Sequence, residues 1–507
     1  MTLLNTIVGS MALAKHVDTP IVPRRCQCAS LQPPQIEGAT IINSTGTMLY
    51  NQTGKYYEDG VDVCSFEVYL THSDANDAVR ILTWLPTGAG DNTPWNGRYQ
   101  GTGGGGFWAG FLENAIGPAA ALGHAASSTD GGYDTSDGEP SPWSRDPQLV
   151  INFGYLSFHE MTIIGKAATN DFYGRPADYS YWTGCSMGGR QGHSMAQKYP
   201  EHYDGILSVA APTGWDKIGA MVFWPYLVQS NGEDGFVGLC KLDALTAASV
   251  ETCKVPQNAE DGVITDPRTC GFQAASQVRT TVTCSDGTQS VITDYDAAIW
   301  ESIRNGPRRQ NGDFLWWGLE AGTSYNPWAN EPPTNVSNAA DWVVDFLLKE
   351  PDYDIATIDF DLYETLWDQA IEEYNDSWGS DDADLTAFRD RGGKLLAWHG
   401  WADERIPPVG SIYYWEQVKA ALGGRQEIDK VYRLFTAPGS PHCTEMSADA
   451  NDLAVLVDWV ENGVAPETLP AATERVFVKN CLYPQMLQYN GEGEVQDPDS
   501  WSCVENE

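Results

Sequence analysis

A serine set between two glycines on a sharp turn constrains this chain more than any other feature. Residues 181–192 read YWTGCSMGGRQG, and within them Gly184-Cys185-Ser186-Met187-Gly188 is a G-x-S-x-G pentapeptide. Alone the pattern is weak, because glycine and serine are common. Its flanks strengthen it. Tyr179 to Trp182 is short, aromatic and strand-like, and Arg190 to Tyr199 has no proline and no glycine beyond Gly192, so it can be a helix. Strand, tight turn and helix form the context of a nucleophile elbow. The flanking glycines let the backbone bend enough to present the Ser186 hydroxyl. The Met187 N–H would then face a developing oxyanion at a helix N-terminus. The bland alternative is a glycine-rich turn with an incidental serine.

A serine needs a base to take its proton. The chain order Ser…Asp…His that suits this elbow has one candidate for each role downstream. Lys394 to Trp398 is an apolar strand running into His399-Gly400-Trp401-Ala402-Asp403, which puts Asp403 on a loop past a strand end. Glu404 is its rival, and an aspartate there could also be a simple turn residue. Val431 to Phe435 is a second strand, leading through Pro438-Gly439 to His442. Cys185 precedes the candidate nucleophile and Cys443 follows the candidate base. If Ser186 and His442 meet, those cysteines are close enough to bond, and the bridge would clamp the histidine loop to the elbow.

These residues resemble the tannase and feruloyl esterase family of α/β-hydrolases. The resemblance rests on WNGRYQGTGGGGFWAG (95–110), FHEMTIIGKAATNDFYGRPADYSYWTGCSMGGRQGHSMAQKYPEHYDGIL (158–207), LLAWHGWADERIPP (395–408), YRLFTAPGSPHC (432–443) and LVDWVENGVAP (456–466). It implies a Ser186–His442–Asp403 triad and a disulfide between the two triad-adjacent cysteines. It also points to the glycine run Gly103–Gly106 as the second oxyanion donor, with Gly105 and Gly106 left as alternatives. Glycine suits that role because its backbone can approach a substrate oxygen closely. A phosphate loop is the rival reading, but no Lys-Ser/Thr follows the run. Where the family usually carries a histidine, this chain has Tyr133. After His442 it reads Cys443-Thr444-Glu445-Met446, without the family's glycines; Glu445 either raises the basicity of the histidine or points to solvent.

Strand Gly205–Val209 follows the elbow, and after Pro212 the strand–helix alternation stops. The expected fold is an α/β-hydrolase core (26–213 and 391–507) interrupted by an inserted lid domain (214–390). Trp224, Trp300, Trp316, Trp317, Trp328 and Trp342 lie in that insertion; most should form its own core, with one or two touching substrate. His159-Glu160 opens a helix, 159–172. It is no zinc motif, because Ile163 stands at the second histidine position, and His159 reads as structural. A last amphipathic helix, 449–462, is ended by Gly463.

Within the insertion, CKVPQNAEDGVITDPRTC (253–270) corresponds to a loop that the family closes with a disulfide around calcium. Its ligand positions here fall on Lys254, Gln257, Ala259, Asp261 and Val263. Two aspartates are missing and Lys254 brings positive charge, so calcium is expected to be weak or absent, the Lys254 ammonium facing Asp261 instead. The Cys253–Cys270 bridge should remain. The other expected pairs are Cys28–Cys64, Cys240–Cys284 and Cys481–Cys503, leaving Cys26 odd. No organic cofactor is implied.

Charge and cysteines bound the setting. Thirty basic against 69 acidic residues give a net charge of −39, which repels nucleic acid and anionic membranes. Eleven cysteines without paired CxxC motifs, and N-x-S/T sequons at Asn43, Asn51, Asn335 and Asn375, favour the secretory route. No stretch is long and apolar enough to span a bilayer. Residues 1–25 read as a signal or pro segment, with Ala12-Leu13-Ala14 or Arg24-Arg25 as processing sites. The combined expectation is a secreted serine esterase acting on a small aromatic ester of plant cell-wall or tannin origin. A feruloyl ester is the first choice and a galloyl ester the alternative. A hydrolase-like protein that only binds would be expected to lack a triad member, and all three are present.

Overall fold

The computed structural model describes residues 27–88, 94–133, 139–259, 262–325, 340–443, 451–470 and 479–505. The segment 1–25, Cys26, Asp261, Trp328, Asn335 and Glu445 lie outside the described residues. A long hairpin of β1 (Ala39–Gly54) and β2 (Tyr57–His72) leads to β3 (Val79–Pro86), β4 (Arg98–Thr102) and β5 (Ala125–Thr129). β6 (Tyr179–Cys185) and β7 (Gly205–Val209) follow. The chain then leaves the sheet, forms a small hairpin of β8 (Thr281–Thr283) and β9 (Gln289–Val291), and returns as β10 (Lys394–Gly400) and β11 (Tyr432–Ala437). β12 (Thr468–Pro470) and β13 (Lys479–Leu482) complete an 11-stranded sheet in the order β1-β2-β3-β5-β4-β6-β7-β10-β11-β13-β12.

The six strands β5, β4, β6, β7, β10 and β11 are parallel, and the flanking pairings are antiparallel. Parallel neighbours need crossover connections, which cover both faces of the sheet. The strands are accordingly apolar on both sides. Adjacent Tyr181 and Trp182 are both fully buried, one in each of two separate hydrophobic clusters. Helices Ser157–Tyr173 and Met187–Lys198 cover the Trp182 face. Glu113–Ala121 and Asn451–Asn462 cover the other, placing Ile116 against Trp84 and Leu456 against Leu207.

The segment between β7 and β10 is mainly helical, with Leu239–Cys253, Asp294–Asn305 and Phe360–Tyr374 its longest helices. Thr293 and Asp296 close a capping box at the start of the second, satisfying two otherwise unpaired N–H groups. Trp224, Trp300, Trp316 and Trp342 are buried, and their cluster is continuous with helix Ser157–Tyr173. The insertion therefore shares its core with one face of the sheet. Disulfides Cys240–Cys284 and Cys253–Cys270 staple it, Cys28–Cys64 ties the first described residues to β2, and Cys481–Cys503 joins β13 to a C-terminal hairpin of β14 (Gln485–Tyr489) and β15 (Trp501–Glu505).

Several boundaries differ from those expected, and two of them shape the site. The elbow helix begins at Met187, not Arg190, so Gly188 and Gly189 are helical. Their small size is used for approach: a Cβ on Gly188 would lie 2.6 Å from Gly104 O, and one on Gly189 2.8 Å from Val209 O. β10 continues two residues past Trp398, which makes His399 a strand residue paired with Thr436 of β11.

Candidate active site

The site is assembled at the C-terminal ends of β4, β6, β10 and β11, where loops leave a parallel sheet. Ser186 follows β6 with φ 58° and ψ −128°, a region that non-glycine residues enter only when the surroundings enforce it. Here its N–H donates to Val209 O of β7 at 2.9 Å, and Arg190 N donates to Ser186 O at 3.0 Å. The bend also needs Gly184, where a Cβ would lie 2.3 Å from Gly188 O. The pentapeptide is thus a steric requirement of the turn.

His442 joins the two other candidates. Its Nε2 lies 3.0 Å from Ser186 Oγ, and its Nδ1 lies 2.7 Å from Asp403 Oδ2. Asp403 is fully buried, and its Oδ1 accepts from the N–H groups of Arg405 at 2.9 Å and Ile406 at 2.8 Å. Burial alone raises its carboxyl pKa. The electrostatic attraction of the His442 imidazole, with hydrogen bonds donated by His399 and His442, outweighs burial and holds the group far below the usual carboxylate range. Glu404, the rival, does not reach the ring. Its Oε2 accepts from the His442 main-chain N–H at 3.1 Å and so holds the loop. The loop is held a second way by the Cys185–Cys443 disulfide, with S–S 2.03 Å and Cα–Cα 6.0 Å.

The glycine run lies against the elbow. Gly103 N donates to Thr183 O at 3.0 Å, and Gly104 N to Gln191 Oε1 at 3.1 Å, so both of those N–H groups are occupied within the protein. A Cβ on Gly104 would lie 2.0 Å from Trp108 O. Gly105 forms a one-residue bridge with Trp108, and Gly106 turns the chain at φ 54°. Of the two alternatives for an oxyanion donor, Gly105 lines the cavity beside Ser186 and Gly106 does not.

That cavity has a volume of about 440 Å³. It lies on the helix Glu113–Ala121 face of the sheet. Its wall is mostly apolar, with Phe111, Leu122, Val209 and Leu453 beside the disulfide, and Asp452 adds a carboxylate. Asp452 Oδ2 accepts from Trp398 Nε1 at 2.9 Å, and burial pushes the carboxyl up to about 6. None of Trp224, Trp300, Trp316, Trp317 and Trp342 lines this cavity.

The remaining sequence candidates have other surroundings. Tyr133 is a core residue, stacked on Trp143 and donating its hydroxyl to Phe107 O at 3.0 Å. His159 Nδ1 lies 2.7 Å from His202 Nε2, and its ring stacks on Tyr199. In the 253–270 loop, Lys254 Nζ pairs with Glu251 Oε1 at 2.8 Å, and Val263 O accepts from Val255 N at 2.8 Å. A buried ammonium at one of the ligand positions does not fit a calcium ion, which needs six or more oxygens. Among the described residues no group of three or more His, Cys, Asp or Glu could hold a metal. Two features went unread in the sequence: His399 on Asp403, and Gln191 beneath the glycine run. His399 stands four residues before Asp403, but strand periodicity alone does not show which way its ring turns.

The sheet order and the elbow define an α/β-hydrolase. The chain belongs to the tannase and feruloyl esterase family, whose model matches residues 71–504. A probable feruloyl esterase from Arthroderma benhamiae is 36% identical, the alignment covering 100% of this chain and 98% of the relative. Two solved structures are similar in fold. Tannin acyl hydrolase from Aspergillus niger has a TM-score of 0.83 at 23% identity, covering 96% of this chain and 97% of that one. Feruloyl esterase B from Aspergillus oryzae has a TM-score of 0.79 at 24% identity, covering 94% and 99%. This protein is a carboxylic ester hydrolase.

Proposed function

We propose that the protein is a secreted serine esterase that cleaves aromatic acyl esters, feruloyl esters first, through Ser186, His442 and Asp403. The observation that carries the reading is the continuous hydrogen-bond chain from Ser186 Oγ through His442 to buried Asp403. In the reaction, His442 Nε2 takes the Ser186 hydroxyl proton as Oγ attacks the ester carbonyl. Asp403 accepts from Nδ1–H, which fixes the tautomer and stabilises the imidazolium that forms. The N–H groups of Met187 and Gly105 stabilise the oxyanion. His442 then returns the proton to the leaving alcohol, and water, activated by the same imidazole, releases the acid.

The apolar cavity beside Ser186 is large enough for a phenylpropenoyl group. The feruloyl choice is favoured by the 36% identical relative, a probable feruloyl esterase. The described residues of the 214–390 insertion pack on the opposite face of the sheet and do not line this cavity. Secretion is supported by five disulfides, which persist in oxidising compartments, and no described helix is long and apolar enough to cross a membrane. Calcium is weak or absent at the 253–270 loop; calorimetric titration should show no saturable uptake, and a tight one-to-one site would reverse this.

The test of the mechanism is covalent. A p-nitrophenyl phosphonate should transfer its phosphonyl group to Ser186 Oγ with release of p-nitrophenolate, adding the phosphonyl mass to the peptide carrying Ser186 as activity falls, and the Ser186→Ala protein should take up none. Labelling at another residue, with Ser186 untouched, would remove the mechanism.

A further inference from the structure

Asp403 carries two imidazoles. His442 Nδ1 and His399 Nε2 lie 2.7 and 3.0 Å from the same oxygen, Oδ2. The geometry points to His399 as a positioning residue that sets the basicity of His442 through the shared carboxylate oxygen. The inference rests on the Ser186–His442–Asp403 reading.

The tautomer follows from the neighbours. His399 is 2% exposed. Its Nε2 also lies 3.0 Å from Ile406 O, a carbonyl that can only accept. Nε2 therefore bears a proton and faces two acceptors. Nδ1 lies 2.8 Å from Ser411 Oγ, on the helix Pro408–Leu422; in the neutral ring Nδ1 accepts from that hydroxyl.

Orientation of the carboxylate does not require this bond, because Arg405 N and Ile406 N already fix Oδ1. What His399 adds is a donor at the atom that faces the base. An N–H directed at Oδ2 draws negative charge away from it. The imidazolium of His442 is then stabilised less, and His442 is a weaker base than it would be against an unshared carboxylate. The sign is fixed: removing the His399 donor raises the pKa of His442. Among the described residues, Glu404 contacts the His442 main-chain N–H, with Arg405 Nε 3.8 Å from that carboxylate, and Asp452 lines the cavity beside Ser186. Neither contact is changed by substitution at His399.

Two variants separate this role from a structural one. In His399→Asn the amide N–H takes the place of Nδ1, near Ser411, and cannot reach Asp403. In His399→Gln it takes the place of Nε2 and still donates to Oδ2. The acid limb of the kcat/KM profile on a p-nitrophenyl ester should move up by roughly half to one pH unit in His399→Asn, with the plateau rate changed less than about tenfold. His399→Gln should keep the wild-type limb. Equal limbs in all three proteins, or equal shifts in both variants, would overturn the inference. If either variant fails to fold, nitrogen-15 histidine spectra of the wild type decide: His399 must hold its proton on Nε2 at neutral pH, and a bare Nε2 would refute the claim. Loss of turnover in Ser186→Ala tests the underlying triad separately. If that variant stays active, the mechanism fails; if it is inactive and the limbs do not move, only the role of His399 fails.

Discussion

His442 and His72 both lie against buried carboxylates, and only His442 is free to move a proton. His442 has Asp403 on Nδ1 and the Ser186 hydroxyl on Nε2. His72, at the end of β2, has Asp77 on Nδ1 at 2.6 Å and Glu160 on Nε2 at 2.8 Å. Burial lowers the His72 pKa, but the hydrogen bonds it donates to Glu160 and Asp77, with their negative charge, reverse that and carry it up to about 9. A histidine with acid on both nitrogens is locked in its charged form. It ties β2 to helix Ser157–Tyr173 and has no acceptor site to offer. A histidine with acid on one side and a hydroxyl on the other can take a proton and return it. Between these two histidines it is the partner of the second nitrogen that differs, a carboxylate for His72 and the Ser186 hydroxyl at the cavity for His442.

Matched substitutions test this comparison. Asp403→Asn should lower kcat by about 10⁴, because the wrong tautomer of His442 is favoured, with little change in folding. Asp77→Asn should do the reverse, leaving kcat near wild type and lowering unfolding free energy, measured in urea. His72→Leu should cost more still, roughly 3–5 kcal/mol, because Asp77 and Glu160 are left buried without their cation. If His72→Leu instead abolished turnover in a stably folded protein, the division of roles would be wrong.

The disulfide gives a smaller effect. Replacing Cys185 and Cys443 with alanine releases the histidine loop from the elbow, leaving Glu404 to hold it. A misplacement of about 1 Å costs on the order of 10²-fold in rate, and a loss of that size is expected with KM changed less. An unchanged kcat would show that the Glu404 contact suffices. The smallest effect is in pH. The folded pKa of His72 lies above its unfolded value, so its stabilisation is complete below about pH 6.5 and is lost as pH rises toward about 9. Urea midpoints of wild type should fall across that window, and those of His72→Leu should fall less.

Much of the site could be read in the sequence because its parts are steric. The elbow needs glycine at 184 and 188, and these leave a visible signature. Asp403 and His442 were legible because each follows an apolar strand. The five cysteine pairs follow the expected partners. What stayed hidden depends on side-chain direction across distant segments. His72, Asp77 and Glu160 are 88 residues apart at their extremes, and no local pattern joins them. His399 looked like a strand end until its ring was seen against Asp403. The sequence puts Met187 at a helix N-terminus but marks only Arg190 to Tyr199 as helix; the turn between, Gly188 and Gly189, is helical, and a Cβ on either would meet backbone of Gly104 or Val209.

The most direct measurement is of initial hydrolysis rates on methyl ferulate, methyl gallate and a short p-nitrophenyl ester, for wild type beside Ser186→Ala. The account predicts ferulate turned over faster than gallate, and all three activities lost in the variant. Gallate preferred over ferulate would keep the mechanism and contradict the feruloyl assignment. Unchanged turnover in folded Ser186→Ala would contradict the central claim itself.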